Sequence, residues 1–83
     1  MELTPGIIEI DLHGLRVEEA VSKVKREVAK APKSVYSIRL IHGYHGGTRI
    51  RDAIEDEFSY GRDSRVKSVR AGGNQGITEL VLR

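Results

Sequence analysis

The segment "EIDLHGLRVEEA", residues 9–20, joins the end of one secondary-structure element to the start of the next. Its first part ends an isoleucine-rich run over residues 7–12, whose apolar side chains alternate as they do on one face of a strand. Its last part begins a run with apolar residues at three- and four-residue spacing, which predicts a helix over residues 17–31. The segment therefore predicts a strand and a helix joined through an acid, a histidine and a glycine.

The rest of the chain continues this alternation. Further strands are predicted at residues 35–41, 65–71 and 77–83, and a second helix at residues 48–60; the turn "GGNQG" joins the last two strands. Strand–helix–strand units pair in parallel with right-handed crossovers, which places both helices on one face of the sheet. We predict an α/β fold, and specifically an α+β two-layer sandwich of order βαβαββ, with a four-stranded mixed sheet and a partly polar second face.

The length of 83 residues allows one domain, which we place at residues 7–83 after an N-terminal tail at residues 1–6. There is no cysteine, no apolar run of the ~20 residues that a membrane span needs, and no signal-peptide pattern at the start. A cytoplasmic protein without a membrane partner is therefore expected. The net charge of +2 favours a polyanion only weakly.

All three histidines follow predicted strands. If the first three strands are parallel, their carboxyl ends form one rim, where open α/β sheets usually bind ligands. Asp11 and His13 leave the first strand there, His42 leaves the second, and the "GGNQG" turn leaves the third. We therefore expect a site at this rim, with its histidines outside the core and contributing little to stability.

The residues before the second helix suit an anion. Gly46 and Gly47 leave the free N–H groups of the helix unobstructed, and Thr48 either caps the helix or bonds a phosphate oxygen. Arg49 and Arg51 lie in the first helical turn, where cations are unfavourable unless an anion is bound. This pattern favours phosphate binding.

Each of these residues also has a purely structural interpretation. Asp11 could bond the backbone of the next turn, and His13 could hold its loop through one ring nitrogen. His42 could be a strand-end residue with a satisfied ring, His45 an exposed side chain, and Tyr44 either a base-stacking group or a cover for the loop. There is no Walker loop, no dinucleotide fingerprint, no nucleophile elbow and no diagnostic metal-ligand spacing.

The ordered motifs resemble the small MutS-related (Smr) domain family over residues 7–83. They are Asp11-Leu12-His13-Gly14, the helix start "VEEA", Ile41-His42-Gly43, the helix start "RIRDAI", and Asn74-Gln75-Gly76. The resemblance implies a fold similar to the C-terminal domain of translation initiation factor 3. It also implies nucleic-acid binding and, as in several members, endonuclease activity that nicks DNA or cleaves mRNA at stalled ribosomes.

The family signatures fall on the two histidine motifs. The DLHG signature covers Asp11–Gly14, and the HG-x-G signature begins at His42 and Gly43. The fourth position of the second signature is His45 here, with glycines at the next two positions, so the loop is one residue longer than the commonest form.

Two hypotheses of function stand side by side, with a protein-interaction domain on the polar sheet face as a third. The first is an endonuclease in which His13 and His42 share the base and acid roles on RNA and Asp11 orients an imidazole. It requires no cofactor, although a divalent metal on Asp11 is not excluded. The second is a non-catalytic nucleic-acid- or ribosome-binding module. The nucleic-acid-binding residues expected in either case are Arg39, Gly43, Gly46, Gly47, Thr48, Arg49, Arg51, Arg70, Asn74 and Gln75, and the module would also use Arg65 and Lys67.

Overall fold

The computed structural model describes residues 3–4, 6–43, 48–59, 63–73 and 76–82. The strands are β1 Leu3–Thr4, β2 Ile7–Asp11, β3 Ser37–Ile41, β4 Ser68–Ala71 and β5 Ile77–Val81. The helices are α1 Val17–Lys30 and α2 Arg49–Phe58. The predicted fold class and the order βαβαββ after residue 6 are confirmed.

The strands form one mixed sheet in the order β1-β2-β3-β5-β4. β2 and β3 are parallel, whereas β5 is antiparallel to both β3 and β4. β2, β3 and β4 therefore run in the same direction, and their carboxyl ends meet at one edge, which we call the rim. The expectation that three strand ends converge is met, although β5 lies between β3 and β4.

The sheet has one strand more than the four predicted. Residues 1–6 were expected to be a tail, but Leu3 and Thr4 pair antiparallel with Ile8 and Ile7. Gly6, with a φ of 83°, lies in the turn before β2. A two-residue strand is too short to show any periodicity, so the sequence pattern could not reveal it.

The core lies between the sheet and the two helices. α1 buries Ala20, Val24 and Val28 at four-residue spacing, and α2 buries Ile54 and Phe58. The buried sheet residues that face them are Ile8, Ile10, Ile38, Leu40 and Leu80. Since these side chains alternate along each strand, the helices cover one face of the sheet and leave the other uncovered.

Local interactions fix the two ends of α1. The Glu19 carboxylate accepts a hydrogen bond from the Arg16 backbone N–H at 3.1 Å, which satisfies a free donor at the start of the helix. The helix ends at Lys30, two residues before Pro32, because a residue that precedes proline avoids helical geometry. The DLHG segment thus connects β2 to α1, a helix whose N-terminus is stabilised by the Glu19 hydrogen bond.

A row of alternating charges crosses the uncovered face of the sheet. Glu9, Arg39, Glu79 and Arg70 are successive partners in the strand register. Arg39 Nε lies 3.9 Å from a Glu9 oxygen, and Arg70 Nε lies 3.5 Å from a Glu79 oxygen. The polar second face that we predicted is present, and its arginines are matched to carboxylates.

Candidate active site

The two histidine motifs and the β4–β5 turn are tied together at the rim. The backbone N–H groups of His42 and Gly43 both donate to the Gly76 carbonyl, at 2.9 and 3.0 Å. The Leu12 N–H donates to the Ile41 carbonyl at 2.7 Å. The segments that leave β2 and β3 are therefore fixed by backbone hydrogen bonds to each other and to the start of β5.

Asp11 and His13 form a hydrogen-bonded dyad on this rim. His13 Nδ1 lies 2.5 Å from Asp11 Oδ1, and the same oxygen accepts the His13 backbone N–H at 3.1 Å. A carboxylate can only accept, so Nδ1 carries the proton in this bond. The bond leaves Nε2 of His13 without a hydrogen-bond partner among the residues that the structure describes. A neutral His13 thus presents a basic Nε2.

The dyad is exposed, with 72% of the His13 side chain and 57% of the Asp11 side chain accessible to solvent. The hydrogen bond from the His13 ring lowers the pKa of Asp11 from its ordinary value, and the bond from the His13 backbone N–H lowers it further. Burial opposes these two bonds, and the charges of His13 and Lys23, which are smaller influences, lower the pKa further. Asp11 is therefore ionised throughout the neutral range.

His42 occupies a different environment, with only 7% of its surface exposed. Its Nδ1 lies 2.9 Å from the Gly43 carbonyl oxygen, and its Nε2 lies 2.7 Å from the Thr78 hydroxyl. A carbonyl can only accept, so Nδ1 donates to Gly43, and Nε2 and the Thr78 hydroxyl share the second hydrogen bond. Both ring nitrogens are engaged, and the expectation that this histidine lies outside the core is wrong.

Each histidine motif contains a glycine in the left-handed region of backbone conformation. Gly14 and Gly43 adopt φ angles of 80° and 72°, which side-chain-bearing residues rarely adopt. A Cβ atom built at Gly43 would lie 3.7 Å from the His13 Cβ, so the turn after β3 packs directly behind the catalytic candidate. The turn at Gly43 therefore lies next to His13, and the hydrogen bond from His42 to Thr78 ties that turn to β5.

A cavity of about 600 Å³ opens beside the dyad, between the beginnings of the two helices. His13, His42, Arg16 and Arg49 contribute to its lining. Neither arginine makes an ion pair with any residue in the described part of the chain, and both are exposed. The cavity thus combines a hydrogen-bonded imidazole with two cations that are available to an anion.

A sequence model of the Smr domain matches residues 10–83 of the chain. The chain belongs to the Smr domain family. The resemblance indicated by its sequence motifs is therefore confirmed.

This Smr domain is similar to two proteins named endonuclease MutS2. One, from Symbiobacterium thermophilum, is 36% identical over 99% of this chain, and the other, from Exiguobacterium sibiricum, is 38% identical over 90% of it. The chain spans 10% of the length of each. The crystal structure of the Smr domain of Thermus thermophilus MutS2 matches with a TM-score of 0.80 and 34% identity, covering 92% of this chain and 98% of that one.

The other predicted site residues of this Smr domain are spread more widely. Arg39 and Arg70 lie on the uncovered sheet face in the charge row described above. Thr48 is the N-cap residue of α2, but its hydroxyl donates to Asp52 at 2.9 Å instead of capping the helix. Arg51 Nε lies 3.5 Å from an Asp52 oxygen. Gly46, Gly47, Asn74 and Gln75, together with Tyr44 and His45, lie outside the described residues.

The structure adds two residues that the sequence analysis did not place in the site. Arg16 lines the cavity from the N-cap position of α1, and its position two residues after the DLHG motif was the available signal. Thr78 holds His42 from the middle of β5, and no motif marks it. Its role became visible only through the strand register, which pairs it with Leu40.

Within the described ranges, no three metal-ligating side chains of His, Cys, Asp or Glu come together. Neither described helix is both long enough and apolar enough to cross a membrane.

The different burial of the two histidines predicts different effects on stability. His42→Ala is expected to lower the free energy of unfolding by about 1–3 kcal/mol, since it leaves the Thr78 hydroxyl and the Gly43 carbonyl without their partner. His13→Ala is expected to change it by about 0.5 kcal/mol or less, because the side chain is on the surface. Urea denaturation of both variants measures the difference, and equal losses would contradict the structural role of His42.

Proposed function

We propose that this Smr domain binds the phosphate backbone of nucleic acid at the rim cavity and cuts a phosphodiester there, with His13 as the general base. The observation that carries the proposal is the exposed Asp11–His13 dyad beside a cavity that Arg16 and Arg49 also line. Among the described residues, Nε2 of His13 has no hydrogen-bond partner and neither arginine makes an ion pair. The similarity to proteins named endonuclease MutS2 supports the same reaction class.

The dyad suits proton transfer. Asp11 accepts the Nδ1 proton, which holds the ring in one orientation and stabilises its charged form when Nε2 takes up a second proton. On RNA, Nε2 would take the proton of the 2′-hydroxyl, the 2′-oxygen would bond to phosphorus, and the bond from phosphorus to the 5′-oxygen would break. The leaving oxygen would take a proton from water, because His42 has no free ring nitrogen.

The arginines of the cavity would stabilise the negative charge of the phosphate. Arg49 lies in the first turn of α2 and Arg16 precedes α1, so both approach the cavity from a helix start. Positive groups at these positions would offset the charge that develops on the phosphate oxygens during cleavage. Phosphate contacts of this kind position the strand without reading its sequence.

A second candidate function is a nucleic-acid- or ribosome-binding module without catalysis. The locked His42 favours it, because the described part of the site then offers one imidazole for proton transfer instead of two. Under either function we propose that the domain acts on RNA or DNA in the cytoplasm. No metal is required by the one-histidine scheme, although a divalent ion is not excluded.

The deciding experiment incubates the pure protein with labelled RNA and DNA of the same sequence, with magnesium and with chelator. Cleavage of RNA in chelator, with no cleavage where a single 2′-deoxynucleotide precedes the target phosphate, is the expected result. Cleavage of the deoxy substrate at the same rate would replace 2′-hydroxyl attack by attack of water. Salt-sensitive binding without any cleavage would support the binding module.

Arg49→Ala is expected to weaken binding of every sequence by about fivefold and to reduce the slope of log affinity against log salt by about one unit. The reason is that one phosphate contact and its released counterion are lost. Fluorescence anisotropy at several salt concentrations measures both effects. Arg70→Ala is the matched control, because Arg70 faces Glu79 on the other side of the sheet, and an equal loss in that variant would place the strand elsewhere.

A further inference from the structure

Part of the rim cavity is not explained by phosphate binding or by the dyad. Besides its polar groups, the cavity is lined by the aliphatic side chains of Leu15, Val17 and Ile50. All three are only half-buried, and Leu15 and Ile50 also pack against the core. Their positions are fixed by the protein interior, while their outer surfaces remain open to a ligand. A phosphate group gains no favourable interaction from an apolar surface of this kind.

The size of the recess also exceeds what one phosphate needs. Its volume of about 600 Å³ falls within the range of roughly 300–1,000 Å³ that is typical of sites for small organic ligands. Such sites combine an apolar lining with a few well-placed polar groups. The polar side chains that line this cavity are His13, Arg16, Glu18, His42 and Arg49. The lining therefore fits a flat organic ring attached to an anion more closely than an anion alone.

We infer that the cavity receives the base of one nucleotide adjoining the phosphate that is cut, so that the substrate is a strand with that nucleotide out of any duplex stack. The inference rests on the proposed function and names its substrate class. Within a duplex, bases are stacked and expose only their edges in the grooves, so a base enters such a recess only after it unstacks. A duplex without an unpaired nucleotide would contact Arg16 and Arg49 through its phosphates and would leave the apolar part of the cavity empty.

The chemistry of the lining also sets the expected selectivity. Aliphatic side chains contact the faces of any base, and they offer no hydrogen bonds that would read its edge. The aliphatic part of the lining should therefore discriminate weakly among the four bases, while discrimination between stacked and unstacked nucleotides should be strong. The energy needed to unstack a nucleotide, a few kcal/mol, is smallest where it is already unpaired.

The first test uses oligonucleotides of one sequence in four forms: single-stranded, fully duplex, duplex with one unpaired nucleotide, and single-stranded with an abasic site at that nucleotide. Each form is made as RNA, because the proposed cleavage uses the 2′-hydroxyl. The unpaired and single-stranded forms should be cut at least tenfold faster than the full duplex, and the abasic form should be cut at least fivefold more slowly than its parent. Equal rates for all forms would overturn the inference and leave the nuclease proposal standing. No binding and no cleavage in any form would overturn both.

The second test fills the cavity. Ile50→Trp should remove the preference for the unpaired form while salt-dependent binding of full duplex remains within about threefold of the parent. Ile7→Trp is the matched control, because Ile7 is a half-buried isoleucine on the uncovered face of the sheet, at the opposite end of β2. Retention of the full preference in Ile50→Trp would contradict the inference.

A third measurement needs no cavity variant and so does not depend on Ile50→Trp folding. A 2-aminopurine placed at the unpaired position of a non-cleavable strand should change its fluorescence on binding, because the base leaves water for an apolar lining. The same probe placed five nucleotides away should not respond. No difference between the two probes under saturating protein would mean that the base stays outside the cavity.

Discussion

His13→Ala is expected to lower the rate of phosphodiester cleavage by about 10²- to 10⁴-fold, which is the contribution that general acid–base groups typically make. Nε2 of His13 is the free ring nitrogen that the described part of the site offers for proton transfer. Binding of the substrate should stay within about threefold of the parent, because phosphate contacts carry most of the affinity. Single-turnover cleavage and anisotropy on the same strand measure the two quantities.

The control for this experiment is Arg70→Ala, purified in parallel, which should keep the parental rate because Arg70 lies in β4 opposite Glu79, three strand positions away from β2, which carries Asp11. If His13→Ala cuts as fast as the parent and a contaminating nuclease has been excluded, the dyad is not catalytic. If the affinity of His13→Ala for the strand falls by the same factor as its cleavage rate, His13 binds the substrate and does not transfer a proton.

The sequence predicted the fold well because apolar periodicity decides it. The four-residue spacing of Ala20, Val24 and Val28 indicates α1, and the alternation around Ile38 and Leu40 indicates β3. These patterns are local and strong. β1 was missed because two residues carry no pattern, and its pairing depends on the turn at Gly6.

The candidate site was predicted only in part, because burial depends on contacts between distant segments. Asp11, His13 and His42 were correctly gathered at one rim by the rule that parallel strands end together. Which of the two histidines would be buried was not visible, since the hydrogen bond that fixes His42 comes from Thr78, in another strand. The register of β5 against β3 decides that contact.

The sequence also could not show which arginines are paired with carboxylates in the folded chain. Arg39 and Arg70 were assigned to nucleic acid because positive side chains attract polyanions. The register sets Arg39 opposite Glu9 and Glu79, and sets Arg70 opposite Glu79. Their assignment to nucleic acid stays a prediction. Arg16, which was not singled out, lines the cavity without an ion pair in the described part of the chain. Pairing in three dimensions decides which cations remain available.

The two motif histidines occupy different environments in the site. His42 uses both ring nitrogens inside the protein and keeps the turn at Gly43 in place. His13 uses one ring nitrogen for Asp11, and its side chain is accessible to solvent. A rigid support behind an exposed reactive group is what a precisely placed proton transfer requires. In the proposed mechanism, the carboxylate of Asp11 most directly controls proton transfer by His13, because it accepts the Nδ1 proton.

Asp11→Asn is therefore expected to lower the cleavage rate by about 10²-fold with binding unchanged. Replacing the orienting carboxylate of a buried catalytic triad by an amide lowers kcat about 10⁴-fold, and the effect should be smaller here because solvent screens an exposed pair. Asp11→Glu is the companion variant, which keeps the charge and moves it by one methylene group. A cleavage rate in Asp11→Glu that lies between those of Asp11→Asn and the parent would show that the negative charge contributes. Equally low cleavage rates in both variants would show that only the geometry of the aspartate matters.

The pH dependence gives a separate check on the same residue. The hydrogen bond from the His13 ring lowers the pKa of Asp11, so the carboxylate keeps its charge as the pH falls until that lowered value is reached. Its contribution to folding is fully present above the pKa of an unfolded aspartate, near ~3.9, and is lost only as the pH falls below it. Any change of cleavage rate between about pH 5 and 8 should therefore belong to a group other than Asp11. NMR titration of the Asp11 side-chain carboxyl carbon measures this, and a midpoint within the range of pH 5 to 8 would contradict the dyad as drawn.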